Sequence, residues 1–208
     1  MKTQHRQHRF RTDKMPPKRR CGDDERVAAR NAIKESLSKA EAAATRFLEK
    51  GLCKISEDDV LEALRALGGV WPTQERPNVA PDIKMPHVPG MCLGLAPDRS
   101  YAGCAVGKIT KSCPNLSKLV TAWVANSLPD KDFRFGAVQI NFNYRARKHI
   151  DANNLGPSYI TSLGDHTGGH LWTGDRGVLD CKGSWKLFDG NTLHATQPFQ
   201  GGEHVQCI

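Results

Sequence analysis

His149-Ile150-Asp151 and, with its imidazole 45 positions after the first, Phe188-Asp189-Gly190-Asn191-Thr192-Leu193-His194 are the two blocks that decide the fold of this chain. Together they offer two imidazoles and one carboxylate, the ligand set of a mononuclear non-haem iron(II) site. Alternation along a strand puts residues i and i+2 on one side, so His149 and Asp151 share a face. The third ligand must come from a distant strand that closes over the same mouth, and His194 is a residue of the right type. Such a centre keeps the opposite positions open for a bidentate cosubstrate and then O2. His-x-Asp alone proves little. With eight His and fourteen Asp, about one chance occurrence is expected in two such chains.

The surrounding sequence adds weight. Asn141-Phe142-Asn143-Tyr144 precedes the motif, and Asn153-Asn154-Leu155-Gly156-Pro157-Ser158 follows it. Next comes Gly164-Asp165-His166-Thr167-Gly168-Gly169-His170-Leu171-Trp172, and then the Asp-Gly-Asn before His194. From about Met91 to Gly202, just over half the chain, these blocks resemble the 2-oxoglutarate/Fe(II) dioxygenases. Within them they resemble the branch of the ten-eleven-translocation and J-base-binding-protein enzymes. The superfamily resemblance is the more specific of the two. It implies a double-stranded β-helix (jelly roll), Fe(II), 2-oxoglutarate or another oxidisable cosubstrate, and O2. The branch implies oxidation of the 5-methyl group of a pyrimidine in nucleic acid, with the base flipped into the site.

Carried over by position, the resemblance makes His149, Asp151 and His194 the iron ligands. Asn154 matches the Asn that contacts the target base, although a turn role in Asn153-Asn154-Leu155-Gly156 explains it as well. Asn141 and Asn143 fall on one face of their strand, where they would hydrogen-bond the cosubstrate or satisfy a polar interior. His166 and His170 have no slot in the motif and read as packed or surface residues. Trp172 reads as core.

One part of the pattern is missing. The family closes with a basic residue, usually Arg, roughly ten positions after the distal His. Its guanidinium forms a bidentate pair with the far carboxylate of 2-oxoglutarate. No Arg follows Arg176 here, and His204 stands at the corresponding place. His204 would serve only if protonated. Lys182 or Lys186 could substitute from a neighbouring strand. The expectation is a roll lacking its last strand, with an exposed sheet edge. A different cosubstrate, or an iron site without turnover, would also account for the missing Arg.

The rest of the chain frames this domain. At 208 residues it can bury one core plus an appendage. No segment is apolar enough to span a bilayer, and the basic start lacks a signal-peptide core. The seven Cys form no CxxC pair, which favours free thiols in a reducing, intracellular setting. Residues 1–20 hold eight Lys/Arg and one acid, whereas the other 188 hold 22 and 21. The net charge of +8 therefore belongs to a tail. That tail fits contact with DNA or RNA or nuclear import through Pro16-Pro17-Lys18-Arg19-Arg20, with a solvated terminus as the alternative.

The expected architecture is α+β: a jelly roll with flanking helices and an N-terminal helical extension. Residues 1–22 form a disordered basic tail. Residues 23–70 form a helical hairpin, from apolar residues spaced by three and four and a Ser56-Glu57-Asp58-Asp59 helix start. Residues 71–90, with five prolines, form a linker or wrapping arm. Residues 91–208 form the roll, with a helix after Pro114 and short strands near 133–142, 158–163, 169–172, 185–188 and 192–196. The function expected is Fe(II)- and 2-oxoglutarate-dependent hydroxylation of a C–H bond on a methylated pyrimidine. A prolyl-type protein hydroxylase is one rival. A catalytically impaired oxygenase-fold module with a nucleic-acid-binding tail is the other.

Overall fold

The computed structural model describes residues 21–208 apart from 83, 99–102 and 152–153. The expected tail over 1–20 lies outside the described residues. Residues 21 and 22 already belong to the first helix, α1 (Cys21–Leu48).

Helix α1 carries Asp23 and Asp24 in its first turn and Arg46 in its last, each placed to suit the helix dipole. Its first three turns are exposed, and it buries only Ser36, Ala40, Ala43 and Ala44. These small residues at three- and four-residue spacing let it lie close against α4 (Pro114–Ser127). α4 begins on proline, as expected, but its N-cap residue Cys113 supplies no side-chain cap. Glu41 of α1 does that work from outside. Its carboxylate accepts from the backbone N–H of Asn115 at 2.9 Å and of Leu116 at 2.8 Å. The second helix of the extension, α2 (Glu57–Arg65), opens on a capping box between Ser56 and Asp59. A short five-residue α3 (Lys108–Ser112) precedes α4.

Among the described residues twelve strands follow the order β1 (Thr73–Glu75), β2 (His87–Asp98), β3 (Gly103–Val106), β4 (Ala137–Phe142), β5 (Ser158–Leu163), β6 (His166–Gly168), β7 (Leu171–Thr173), β8 (Gly177–Leu179), β9 (Lys186–Phe188), β10 (His194–Thr196), β11 (Phe199–Gly201) and β12 (Val205–Cys207). They form an antiparallel sheet in the order β1-β2-β4-β12-β5-β9, with β3 on β2, a smaller sheet β10-β7-β8, and a β6-β11 ribbon. The protein is thus a mixed fold of helices and antiparallel sheets.

Alternation divides the large sheet. Val138 and Ile140 of β4, Leu163 of β5, and Val205 and Cys207 of β12 join the core shared with α1, α2 and α4. The intervening Asn141, Ile160 and Gln206 face the small sheet, where Leu171, His194 and Thr196 meet them. Ile160, Leu171, Cys181 and Phe188 make the apolar contact between the sheets.

Two expectations change. Residues 71–90 do not form a plain linker: Thr73–Glu75 pairs with His87–Pro89 as an edge of the large sheet. Trp71 also stacks on Phe142, with ring centroids 4.4 Å apart. Among the described residues the anticipated gap in the large sheet is filled as well. β12 lies between β4 and β5, with Gln206 opposite both Asn141 and Ser162. Among the described residues no helix is long and apolar enough to cross a membrane. Cys53, Cys92, Cys104, Cys113, Cys181 and Cys207 are free thiols.

Candidate metal centre

The His-x-Asp segment runs antiparallel to the residues around β10. His149 and His194 exchange both backbone hydrogen bonds at 3.0 Å, and Asp151 N–H donates to the Gly190 carbonyl at 2.8 Å. Thr196 N–H closes on the Ala146 carbonyl at 3.1 Å. The extended backbone projects His149 and Asp151 to one side, and the cross-strand pair brings His194 beside them.

One ligand atom each from His149, Asp151 and His194 lies within 4.8 Å of the others. His149 Nε2 is 3.7 Å from Asp151 Oδ1, and His194 Nε2 is 3.8 Å from Asp151 Oδ2. Both rings have fixed tautomers. His149 Nδ1–H donates to the Arg147 carbonyl at 2.7 Å, and His194 Nδ1–H to the Thr192 carbonyl at 2.8 Å. Each Nε2 therefore presents its lone pair inward, as a metal ligand requires. The His149 side chain is 7% exposed and that of His194 3%, whereas Asp151 is 24% exposed and faces a cleft. Burial holds the His149 imidazole below its ordinary pKa. The neighbouring His194 acts in the same direction, against the raising effects of the Arg147 carbonyl and Asp151. A neutral imidazole is the form that binds metal.

The three ligands line a narrow inner cavity with Asn141, Tyr144, Thr196 and Gln206. Beside it opens a cleft of about 940 Å³ that shares Arg76 and Asp151 with the inner cavity. Its wall carries Phe133, Phe135, Tyr159 and Trp185, together with Arg134 and Asn154. Burial raises the Tyr144 phenol, partly offset by Arg76, so the hydroxyl keeps its proton at neutral pH.

The other sequence candidates separate. Asn141 is buried on the inner cavity, and its Oδ1 accepts from Gln139 Nε2 at 3.0 Å. Asn143 does not join it. With φ at 46° it breaks the strand, lies exposed, and bonds the backbone of His204 and Gly202. Asn154 reaches the cleft wall, yet its Nδ2 donates to Ser158 Oγ and its N–H to the Asp151 carbonyl, so it also builds the turn.

His204 is placed away from the cavity. Its ring stacks on Phe199 at 4.3 Å and meets His166 edge-on at 4.5 Å, and it is 1% exposed. Burial, with His166 adding to it, drives its pKa down to about 4, so it carries no charge for a carboxylate at neutral pH. Lys182 does not line the cavity either, and its Nζ donates to the His166 carbonyl. Lys186 lies outside it too. Sequence reasoning missed Arg76, the cation that does line the cavity, and Gln206. Arg76 sits in a proline-rich stretch without periodicity, and Gln206 becomes visible only once β12 has a register.

No protein-family model matches the chain, and no curated protein matches it. Among solved structures, an oxidoreductase of the 2OG-Fe(II) oxygenase family from Burkholderia pseudomallei is similar at 15% identity and a TM-score of 0.43. The match covers 73% of this chain and 76% of that one. A likeness this distant carries no functional argument, which rests on the site itself.

Proposed function

We propose that this chain is an Fe(II)- and 2-oxoglutarate-dependent dioxygenase with a double-stranded β-helix at its centre. Its substrate is the 5-methyl group of a modified pyrimidine in nucleic acid. The observation that carries the reading is the trio of converging ligands, in which both imidazoles are turned by backbone carbonyls to offer Nε2. Two nitrogens and a carboxylate on one side suit iron(II) and leave the opposite positions free. Bound there with 2-oxoglutarate and O2, iron supplies an oxidation strong enough for an inert C–H bond, matched by oxidative decarboxylation of the cosubstrate.

The chain's own residues hold and orient. His149 and His194 are fixed in tautomer by backbone carbonyls, and Asp151 lies where the inner cavity meets the cleft. The inner cavity is narrow, about 20 Å³ or room for about one water, which keeps bulk water from the ligand atoms. The cleft has the volume for a base-sized group, with aromatic faces at Phe133, Tyr159 and Trp185 and cations at Arg76 and Arg134. These features support a flipped base over an extended peptide.

The test is incubation of the full chain with Fe(II), 2-oxoglutarate and O2, followed by mass spectrometry of the substrate. A 5-methylcytosine oligonucleotide should gain one oxygen atom, and a proline-containing peptide should not. Oxygen on the peptide alone would move the chain to the protein hydroxylases. Failure to bind iron would remove the enzyme reading altogether.

A further inference from the structure

The strand pairing that turns the three ligands inward turns another set of side chains out. His149 lies opposite His194, so Lys148 falls opposite Ala195 and Ile150 opposite Leu193. Ala195 is paired in turn with Trp172, and Trp172 with Val178. Alternation sends these residues to the outer face of the small sheet, away from the cavity. Among the described residues the helices pack on the large sheet. The outer face stays uncovered: Val178 is 51% exposed, Ile150 47% and Leu193 40%. Trp172, which the sequence alone places in the core, stands on this face. Trp71, Trp123 and Trp185 belong to the main apolar cluster, whereas Trp172 joins none. The Lys148 ammonium lies over its indole, 4.3 Å from the ring centroid. A Cβ on Gly174 would meet Leu193 Cβ at 3.7 Å and Trp172 Cη2 at 3.9 Å, so these two apolar side chains border one spot.

The charge along the strand that carries Lys148 has one sign. Arg145, Arg147 and Lys148 are all exposed, and among the described residues none of them has a carboxylate partner. Arg147 donates to the Asn78 and Pro77 carbonyls, and Lys148 meets the indole. Ile150 also lines the cleft beside Asp151, so the outer face runs on into the mouth. Trp172 stands two strand spacings, about 10 Å, from the strand of His149. We infer that the outer face of the small sheet binds single-stranded nucleic acid, with a base against Trp172 and a phosphate on Lys148. An indole beside an ammonium suits the two halves of one nucleotide, because every base has a π-face and every phosphate a charge. Val178, Leu193 and Ile150 give the neighbouring bases apolar surface. A second copy of the chain fits less well, since a two-fold pairing would set Lys148 against the same positive face. Continuity with the cleft favours a strand that enters it over a separate protein partner. In that choice of polyanion the inference rests on the reading proposed above, but its test needs no turnover.

The experiment measures fluorescence anisotropy of a labelled oligothymidylate of about twelve nucleotides, with the full chain in EDTA, across a range of salt. Lys148→Gln should make the slope of log affinity against log salt shallower by about 0.7, the share of one phosphate on a single strand. Val178→Lys, at a half-exposed position that tolerates the change, should steepen it by about 0.7 and tighten binding. Trp172→Leu should weaken binding about tenfold at an unchanged slope, and Trp172→Phe should keep most of the affinity. An oligonucleotide that does not bind overturns the inference. Variants that all bind as wild type does overturn it too, because the contact would then belong to the basic residues 1–20. A chain that sediments as a dimer, split by Val178→Lys with oligonucleotide affinity unmoved, gives the face to a second copy instead. A methylated oligonucleotide that binds through this face yet gains no oxygen with Fe(II), 2-oxoglutarate and O2 supports the inference and fails the substrate reading alone.

Discussion

Among the described residues two pairs of histidine rings meet, and one of them is a candidate metal site. His149 and His194 meet with ring centroids 4.2 Å apart, and His166 and His204 with centroids 4.5 Å apart. The first pair sits at the mouth. Each Nδ1 is tied to a carbonyl two residues away, Asp151 stands between the two Nε2 atoms, and a cavity opens in front. The second pair sits past Thr196 and Gln197, where β6 and β11 pair. There the Nε2 atoms of both rings are buried without partners, and Phe199 and the Gly169 backbone close the space. Proximity of imidazoles is thus the cheaper half of a metal centre. The carboxylate, the fixed tautomers and the room are what separate the two ends.

The largest effect should come from making the mouth resemble the closed end. Metal-binding free energies on the order of 10 kcal/mol, shared among three ligands, put the loss of one at about a thousandfold or more in affinity. Asp151→Ala should therefore abolish Mn(II) binding in a calorimetric titration, and His166→Ala should leave it unchanged. Equal losses would erase the distinction between the pairs.

Next in size is a pH effect in which the closed end has the largest share. His204 has a pKa of about 4 in the folded protein, against about 6.5 in the unfolded chain. Between those values the unfolded chain takes up a proton that the folded protein refuses. Stability is therefore full above pH 6.5 and falls by about 3 kcal/mol as the pH drops to 4. Urea midpoints across that window should show the slope, and His204→Leu should make it shallower, with His149 and His166, which burial also lowers, keeping the remainder. A slope undiminished by the substitution would assign it to other groups.

Smaller effects follow at two glycines with nearly the same backbone angle. A Cβ on Gly169 (φ +74) would meet His204 Nε2 at 2.6 Å, whereas one on Gly156 (φ +79) would meet nothing within 4 Å. Gly169→Ala should cost about 3 kcal/mol, strain plus overlap. Gly156→Ala should cost about 1 kcal/mol, strain alone. Chemical denaturation of both variants measures the difference, and equal costs would mean the closed end repacks freely.

The mouth is far more legible in the sequence than the far end. His149, Asp151 and His194 are readable because their side-chain types are informative and i, i+2 alternation is local. The helices are readable because three- and four-residue spacing persists over many turns. Strands of three residues, such as β6, β8, β11 and β12, are too short for a period of two to declare itself. That is why the sequence suggests a missing final strand and why Gln206 gives no sign of itself. Asn143 is misplaced by pattern alone because one left-handed residue ends the alternation that would pair it with Asn141. Arg76 carries no local signal at all, since its place on the inner cavity depends on β1 pairing with β2 far from the ligands in sequence.

The central position of β12 has a kinetic consequence. β4 and β5 are not paired with each other; each pairs with β12, which follows both in sequence. Until that segment arrives, the middle of the large sheet is open, and two strands present unpaired backbone groups to any passing chain. Contacts so distant in sequence are slow to form, and partly zipped sheets of this kind associate during the delay. Refolding should therefore be limited by capture of β12, and a peptide of residues 203–208 added in excess should compete for the gap.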